Sequence, residues 1–361
     1  MELTRLRFIK LAAGMAVAVW GGARALAAPS VGTGTSATAE ALRNLVMTRA
    51  LTSDDPWVLM HVVLALGPDA RVAKGPILDV VTEQFVVAVE RGGRKYESFP
   101  LNVEAHPNHF LEIMAAIAVP ATRRFTTKAG AITTADLLVS AKALFAPTTA
   151  GPELSWTLSV FTAAMPPTAD RFTNADGQVF TVAALVETAA QAAEVGYADT
   201  LAAMRGTKPY GRSMLQTYAC NGTHVLYGLY DALRHGYEGK RLRERLRDLT
   251  RASYFRLGAE VALIDHALGG EGQQLNADAA KLQFLGHSIE NLRYAERYGI
   301  YVPAAAERQQ LATAERQLAE VVQRITTVHN LDALANAVPR AYRIVLGDAC
   351  HALRGLTSEP G

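Results

Sequence analysis

The chain has little with which to staple or clamp itself. Only two of its 361 residues are cysteine, Cys220 and Cys350, so a multi-disulfide scaffold is excluded. Aromatic residues make up 7%, and runs of β-branched and aromatic residues are short, which argues against a large sheet. A formal charge of +2 supplies no field for a nucleic acid or an anionic membrane. Past the N-terminal region no apolar run approaches the roughly 20 residues of a membrane-spanning helix. No glycine-rich phosphate loop follows a strand, and no Gly-x-Ser-x-Gly elbow occurs, so nucleotide-loop and serine-hydrolase chemistry have no anchor. What is present is a half-apolar, alanine-rich chain with 19% charged residues, the profile of a folded helical protein of one large domain or two.

Residues 1–28 read as an export signal. Arg5, Arg7 and Lys10 form its basic part, residues 11–20 its apolar part, and Ala25-Leu26-Ala27 a small-residue cleavage site. Residues 4–10 resemble the twin-arginine signal, with Leu6 where the second arginine belongs. The mature protein is therefore expected to be extracytoplasmic, periplasmic or secreted, with a flexible polar leader at 29–38 and a single domain at 39–361. In an oxidising compartment Cys220 and Cys350 are expected to form a disulfide or to be buried unpaired, with a shared metal as the sharper alternative.

Helix signals recur along the chain. Ser53-Asp54-Asp55-Pro56 caps a helix over 57–66 that carries His61. His106-Pro107-Asn108-His109 opens another. Arg124-Phe125-Thr126 is echoed 47 residues later by Arg171-Phe172-Thr173, each read as a short hairpin leading through a threonine cap into a helix. Trp156 lies on a helix between the two, and 182–204 is an alanine-rich helix. Residues 218–230 place Cys220 and His224 just ahead of an apolar helical run. A helix over 240–268 starts with Lys240, Arg241, Arg243, Arg245 and Arg247, read as a solvated face. Gly286 opens the next helix, 304–328 has the pattern of an outer amphipathic helix, and the last helix carries Cys350, His351 and Arg354. His61, His109, Trp156, His224, His287 and His351 occupy comparable positions every 47 to 68 residues, with one further helix in each interval. Six such pairs predict an all-α fold, an (α/α)6 toroid with short hairpin or turn insertions, although an open solenoid would share the local pattern.

The candidate chemistry is histidine-based. His109 with Glu112, and His287 with Glu290, are His-x-x-Glu pairs whose side chains neighbour one another on a helix, so each can share a proton or face one ligand. The plainer reading of each is a capping or core histidine, or a surface pair of little energy. Cys220, His224, Cys350 and His351 are donors suited to zinc.

Two resemblances attach to these residues. Gly286-His287-Ser288-Ile289-Glu290 resembles the Gly-His-x-x-Glu of the N-acylglucosamine 2-epimerase and cellobiose epimerase superfamily. Asn108-His109-Phe110-Leu111-Glu112 is similar to its Met-His-x-x-Glu. Cys350-His351-Ala352-Leu353-Arg354 is similar to its closing aromatic-His-x-Pro-Arg, with Leu353 in place of proline. This resemblance implies a helical toroid with His287 and His351 as the proton-transfer pair. Cys220 with the adjacent Cys350-His351 resembles the zinc ligands of lanthionine synthetase C-like proteins, and Gly222-Thr223-His224 is similar in part to their Gly-x-x-His-Gly. The two cysteines stand farther apart here than in that family. The expectation is an exported toroid enzyme using acid–base catalysis on a carbohydrate or glycan-like ligand, with no nucleic-acid partner. His287, His351, Glu290, Glu112 and His109 would be catalytic, and His61, Trp156, His224 and Arg354 ligand-binding, with no cofactor. The alternatives are a zinc toroid using Cys220, Cys350 and His351, or a non-catalytic periplasmic binding or assembly protein.

Overall fold

The computed structural model describes residues 32–128, 130–146 and 151–357. The segment read as an export signal lies outside them. The all-helical expectation holds: the described residues form fourteen α-helices, and their strands make only two-stranded antiparallel hairpins.

The first helix, α1 (Gly32–Leu45), starts inside the stretch expected to be a flexible leader, so residues 32–38 are helix rather than coil. Leu42 and Leu45 are buried further along the same helix. Next come α2 (Pro56–Leu66), α3 (Ile77–Phe85), a four-residue α4 (Leu101–Glu104) and α5 (His109–Ala116). Then follow α6 (Thr134–Ala143), α7 (Leu154–Ala164), α8 (Val182–Met204) and α9 (Thr223–Arg234). The chain ends with α10 (Leu242–Leu268), α11 (Gln274–Arg297), α12 (Ala305–Thr327), α13 (Leu331–Ala337) and α14 (Pro339–Thr357). Gly286 does not open a helix: α11 begins twelve residues earlier, so His287 sits mid-helix.

Start signals explain the boundaries. Asp55 accepts from the backbone N–H of Trp57 and Val58 at 2.8 and 3.2 Å, with Pro56 in the first turn of α2. The repeated Arg-Phe-Thr segments are hairpins, 124–127 with 130–133 and 171–173 with 179–181, which point Phe125 and Phe172 into the core. Thr133 and Thr181 then cap α6 and α8. The basic start of α10 is a solvated face with partners: Arg245 meets Glu187 and Glu194, and Arg243 meets Glu238.

The helices pack in a cyclic order. α2 packs on α5, α5 on α7, α7 on α9, α9 on α11, α11 on α14, and α14 returns to α2. Around them α1 lies on α12 and α14, α8 on α7 and α9, α10 on α8 and α11, and α12 on α10 and α11. Bare backbone sets the closest crossings. A Cβ on Gly228 of α9 would fall 2.5 Å from the Ser155 carbonyl oxygen of α7, and one on Gly347 of α14 would fall 2.4 Å from the Trp57 ring. No helix among the described residues is long and apolar enough to cross a membrane.

Candidate metal and acid–base centre

The six circuit helices bring aromatic rings together at their common centre. From α2, Trp57 lies 3.9 Å from His61 between ring centroids, and His61 is 5.1 Å from His109 of α5. His109 is 6.0 Å from Trp156 of α7, which lies 5.0 Å from His224 of α9. His224 is 4.9 Å from His287 of α11, His287 is 3.9 Å from His351 of α14, and His351 returns to His61 at 5.0 Å. The six positions singled out by register therefore converge, although only His109, Trp156 and His224 stand at helix starts. His106 joins them, stacked on Trp156 at 3.8 Å. It stands three residues before a histidine already singled out, whereas Trp57 and Asp348 carried no spacing signal.

The tautomers follow from the partners. His61 Nδ1 is 2.6 Å from the Trp57 carbonyl oxygen, His109 Nδ1 is 2.9 Å from that of Glu104, and His287 Nδ1 is 2.8 Å from that of Gln283. A carbonyl oxygen cannot donate, so each Nδ1 carries the proton and each Nε2 presents a lone pair. His351 Nδ1 donates to Glu290 Oε2 at 2.6 Å, and its Nε2 is buried without a hydrogen-bond partner. Burial holds the imidazoles of His61, His109, His224 and His351 well below their usual pKa, with neighbouring histidines adding to the effect, and also lowers His287. Each imidazole is therefore neutral at neutral pH, the form able to bind a metal.

A carboxylate layer lies behind the imidazoles. Glu290 Oε1 accepts from Arg354 at 3.0 Å, and Arg354 also donates to the Tyr227 hydroxyl at 3.1 Å. Burial raises the pKa of Glu290, opposed by Arg354. Burial pushes Glu112 up to about 8, again opposed by Arg354. The His-x-x-Glu pairs do not bond internally. His109 uses the Glu104 carbonyl instead, and Glu290 reaches across from α11 to His351 on α14. In a helix the Nδ1 of a histidine reaches the carbonyl one turn back, as His61 and His287 do, and so the i+3 carboxylate is released for another helix. Asp348 Oδ1 stands 3.8 Å from His287 Nδ1, and burial raises its pKa well above the usual carboxylate range.

Of the alternatives expected for the cysteines, Cys350 takes unpaired burial. No disulfide joins Cys220 to Cys350. Cys350 is wholly buried in the apolar core and burial pushes its thiol pKa up. It is next to His351 on a helix, where successive side chains diverge by about 100°, so it is not part of the ligand group. The group that forms is Cys220, His224 and His287, whose ligand atoms lie within 4.8 Å of one another and could hold a metal ion. Cys220 reaches it on an unusual turn: Cys220, Asn221 and Gly222 have φ of 48°, 54° and 73° in succession. Left-handed non-glycine residues cost about 1–3 kcal/mol each and persist where surrounding structure enforces them. Enforcement comes from a buried pair on α10, Arg256 with Glu260 at 3.3 Å. Glu260 accepts from the Tyr210 hydroxyl and, at 2.9 and 3.0 Å, from Gln216, both in the loop that leads to Cys220. No protein family, curated protein or solved structure matches this chain.

Proposed function

We propose that the protein is a metal-dependent enzyme built on an (α/α)6 toroid, with one cation held by Cys220, His224 and His287 at the middle of the circuit. The observation that carries this reading is the grouping of one thiol and two imidazoles, from a strained turn and two helices, within 4.8 Å. Mixed thiolate and imidazole donors suit zinc, and three protein ligands leave a position for water or substrate. A cation there would lower the pKa of a bound water and polarise a substrate oxygen. The cyclic packing of the six helices supports the toroid. The substrate is small, because the centre is closely packed: the His287 and His351 rings lie 3.9 Å apart, tilted by 31°, and each residue is 3% exposed. The signal-like residues 1–28 support a location outside the cytoplasm.

The test is metal analysis of protein purified without chelators. One or more equivalents of a transition metal, lost in Cys220→Ser and His224→Ala without unfolding, is the expected result. Stoichiometric absence of metal overturns the reading.

A second reading has one observation in its favour. The 2.6 Å bond from His351 to Glu290 orients the imidazole as a general base, as in metal-free proton transfer on a carbohydrate or glycan-like ligand by His287 and His351. Under that reading turnover survives chelation and fails in His351→Ala. Under the metal reading chelation abolishes turnover.

A further inference from the structure

Next to the Cys220, His224 and His287 group lies a buried ion pair that contributes no ligand. We propose that this pair, Arg256 and Glu260 of α10, consists of positioning residues for the cation, which set its affinity by fixing Cys220 as the thiolate ligand. The inference rests on the metal reading above and extends it.

Arg256 is 1% exposed and Glu260 3%, and they meet at 3.3 Å one turn apart on the helix. Desolvation offsets much of the attraction in a buried ion pair, so stability alone is a weak reason for one. What this pair holds is the loop that carries Cys220. Glu260 accepts from Gln216 Nε2 at 2.9 and 3.0 Å and from the Tyr210 hydroxyl, to which Arg256 Nε donates at 3.3 Å. The other end of the Gln216 amide is spent as well: its Oε1 accepts from the N–H and hydroxyl of Ser213 at 2.6 and 2.9 Å. Leu215, between these two residues, is wholly buried against Gly222, where a Cβ would fall 2.6 Å from its side chain. Beyond the turn, the Thr223 hydroxyl donates to the Cys220 carbonyl at 2.8 Å, and Asn291 of α11 donates to the Thr223 carbonyl at 2.6 Å. The left-handed Cys220 and Asn221, at φ of 48° and 54°, are therefore held at both ends.

A second observation puts the same guanidinium beside the other two ligands. Its carbon lies 5.0 Å from the centre of the Phe284 ring, one turn ahead of His287 on α11. Arg256 also lines a small internal cavity with Thr223, Ser288 and Asn291. Thr223 adjoins His224 in sequence, and Ser288 adjoins His287. One buried guanidinium thus borders the segments that carry all three ligands. Glu260 balances its charge, so the pair can sit beside a cation without adding net repulsion. Outer partners of metal ligands carry roughly a 10–100-fold share of affinity.

Cobalt binding by the full chain, stripped of metal and kept reduced, tests this. The parent should take Co2+ with a thiolate-to-cobalt charge-transfer band in the near ultraviolet. Glu260→Gln should weaken Co2+ affinity by roughly 10–100-fold and diminish that band, because the thiolate is the ligand the pair holds. Asp278→Asn is the control. It breaks another buried pair, Asp278 with Arg324 at 2.8 Å, and should lower stability while keeping the parent's affinity and band. Circular dichroism checks folding. Gln216→Ala, at a partly exposed position, cuts the loop from Glu260 with the ion pair intact and serves if Glu260→Gln unfolds. Either variant, folded and with the parent's affinity and band, overturns the positioning role and leaves the metal site standing. An equal loss in Asp278→Asn does the same. A parent that binds no Co2+, or binds it without the band, overturns both.

Discussion

Glu290 joins two functions in one side chain: it accepts from His351 at 2.6 Å and from Arg354 at 3.0 Å. Removing its charge takes the counter-ion from a partly buried guanidinium, and breaking a buried pair costs up to about 3–5 kcal/mol. Glu290→Gln should therefore lower urea-unfolding stability by about that amount, and a loss below 1 kcal/mol would contradict the pairing. Glu112 offers a separate handle because burial pushes its pKa up to about 8. Between its unfolded value near 4.3 and the folded value, the folded protein holds a proton that the unfolded chain has released. Stability then falls as pH rises through that window, by at most about 1.4 kcal/mol per pH unit. Glu112→Gln does not titrate, so its stability relative to the parent should improve steadily from pH 5 to pH 8. Denaturant midpoints at several pH values would show a flat difference if Glu112 were ionised in the folded state.

Among the elements, the repeated hairpin-to-helix unit is the clearest case of local sequence dictating local structure. Thr133 accepts from Asp136 N–H at 3.2 Å while the Asp136 carboxylate accepts from Thr133 N–H at 2.8 Å, a reciprocal cap on α6. Thr133→Ala should cost about 1 kcal/mol, measured by urea unfolding, with unchanged metal content because α6 contributes no residue to the centre. The loop before α9 is the opposite case. Of its three left-handed residues only Asn221 and Gly222 are types that favour that conformation, and a distant pair, Arg256 with Glu260, holds the loop through Tyr210 and Gln216.

For the molecule as a whole, the decisive contact is the one between α14 and α2, where the last helix meets an early one. Gly347 permits it, because a Cβ there would lie 2.4 Å from the Trp57 ring. Trp57 in turn lies 3.9 Å from His61. Gly347→Ala should cost about 1–3 kcal/mol by overpacking and should also weaken metal binding by displacing His61, which packs on His351 and through it on His287. Equal metal affinity in the variant and the parent would separate closure of the circuit from construction of the centre.

Helix content, the two hairpin repeats and the recurrence of histidine at comparable positions were legible from residue order, because caps, turns and periodicity act within a few residues of each other. The convergence of His61, His109, Trp156, His224, His287 and His351 was also readable, since comparable positions on helices that pack in cyclic order come together. Partners were not. Glu112 and Glu290 are near His109 and His287 in sequence, yet Glu290 serves His351 and Glu112 faces Arg354. Cys350 looked like a mate for Cys220, yet helix geometry turns it into apolar core while His224 and His287 take its place. A helix fixes which residues share a face. Which face meets which neighbour depends on crossings such as Gly228 on Ser155 and Gly347 on Trp57, and those exist only once the circuit has closed.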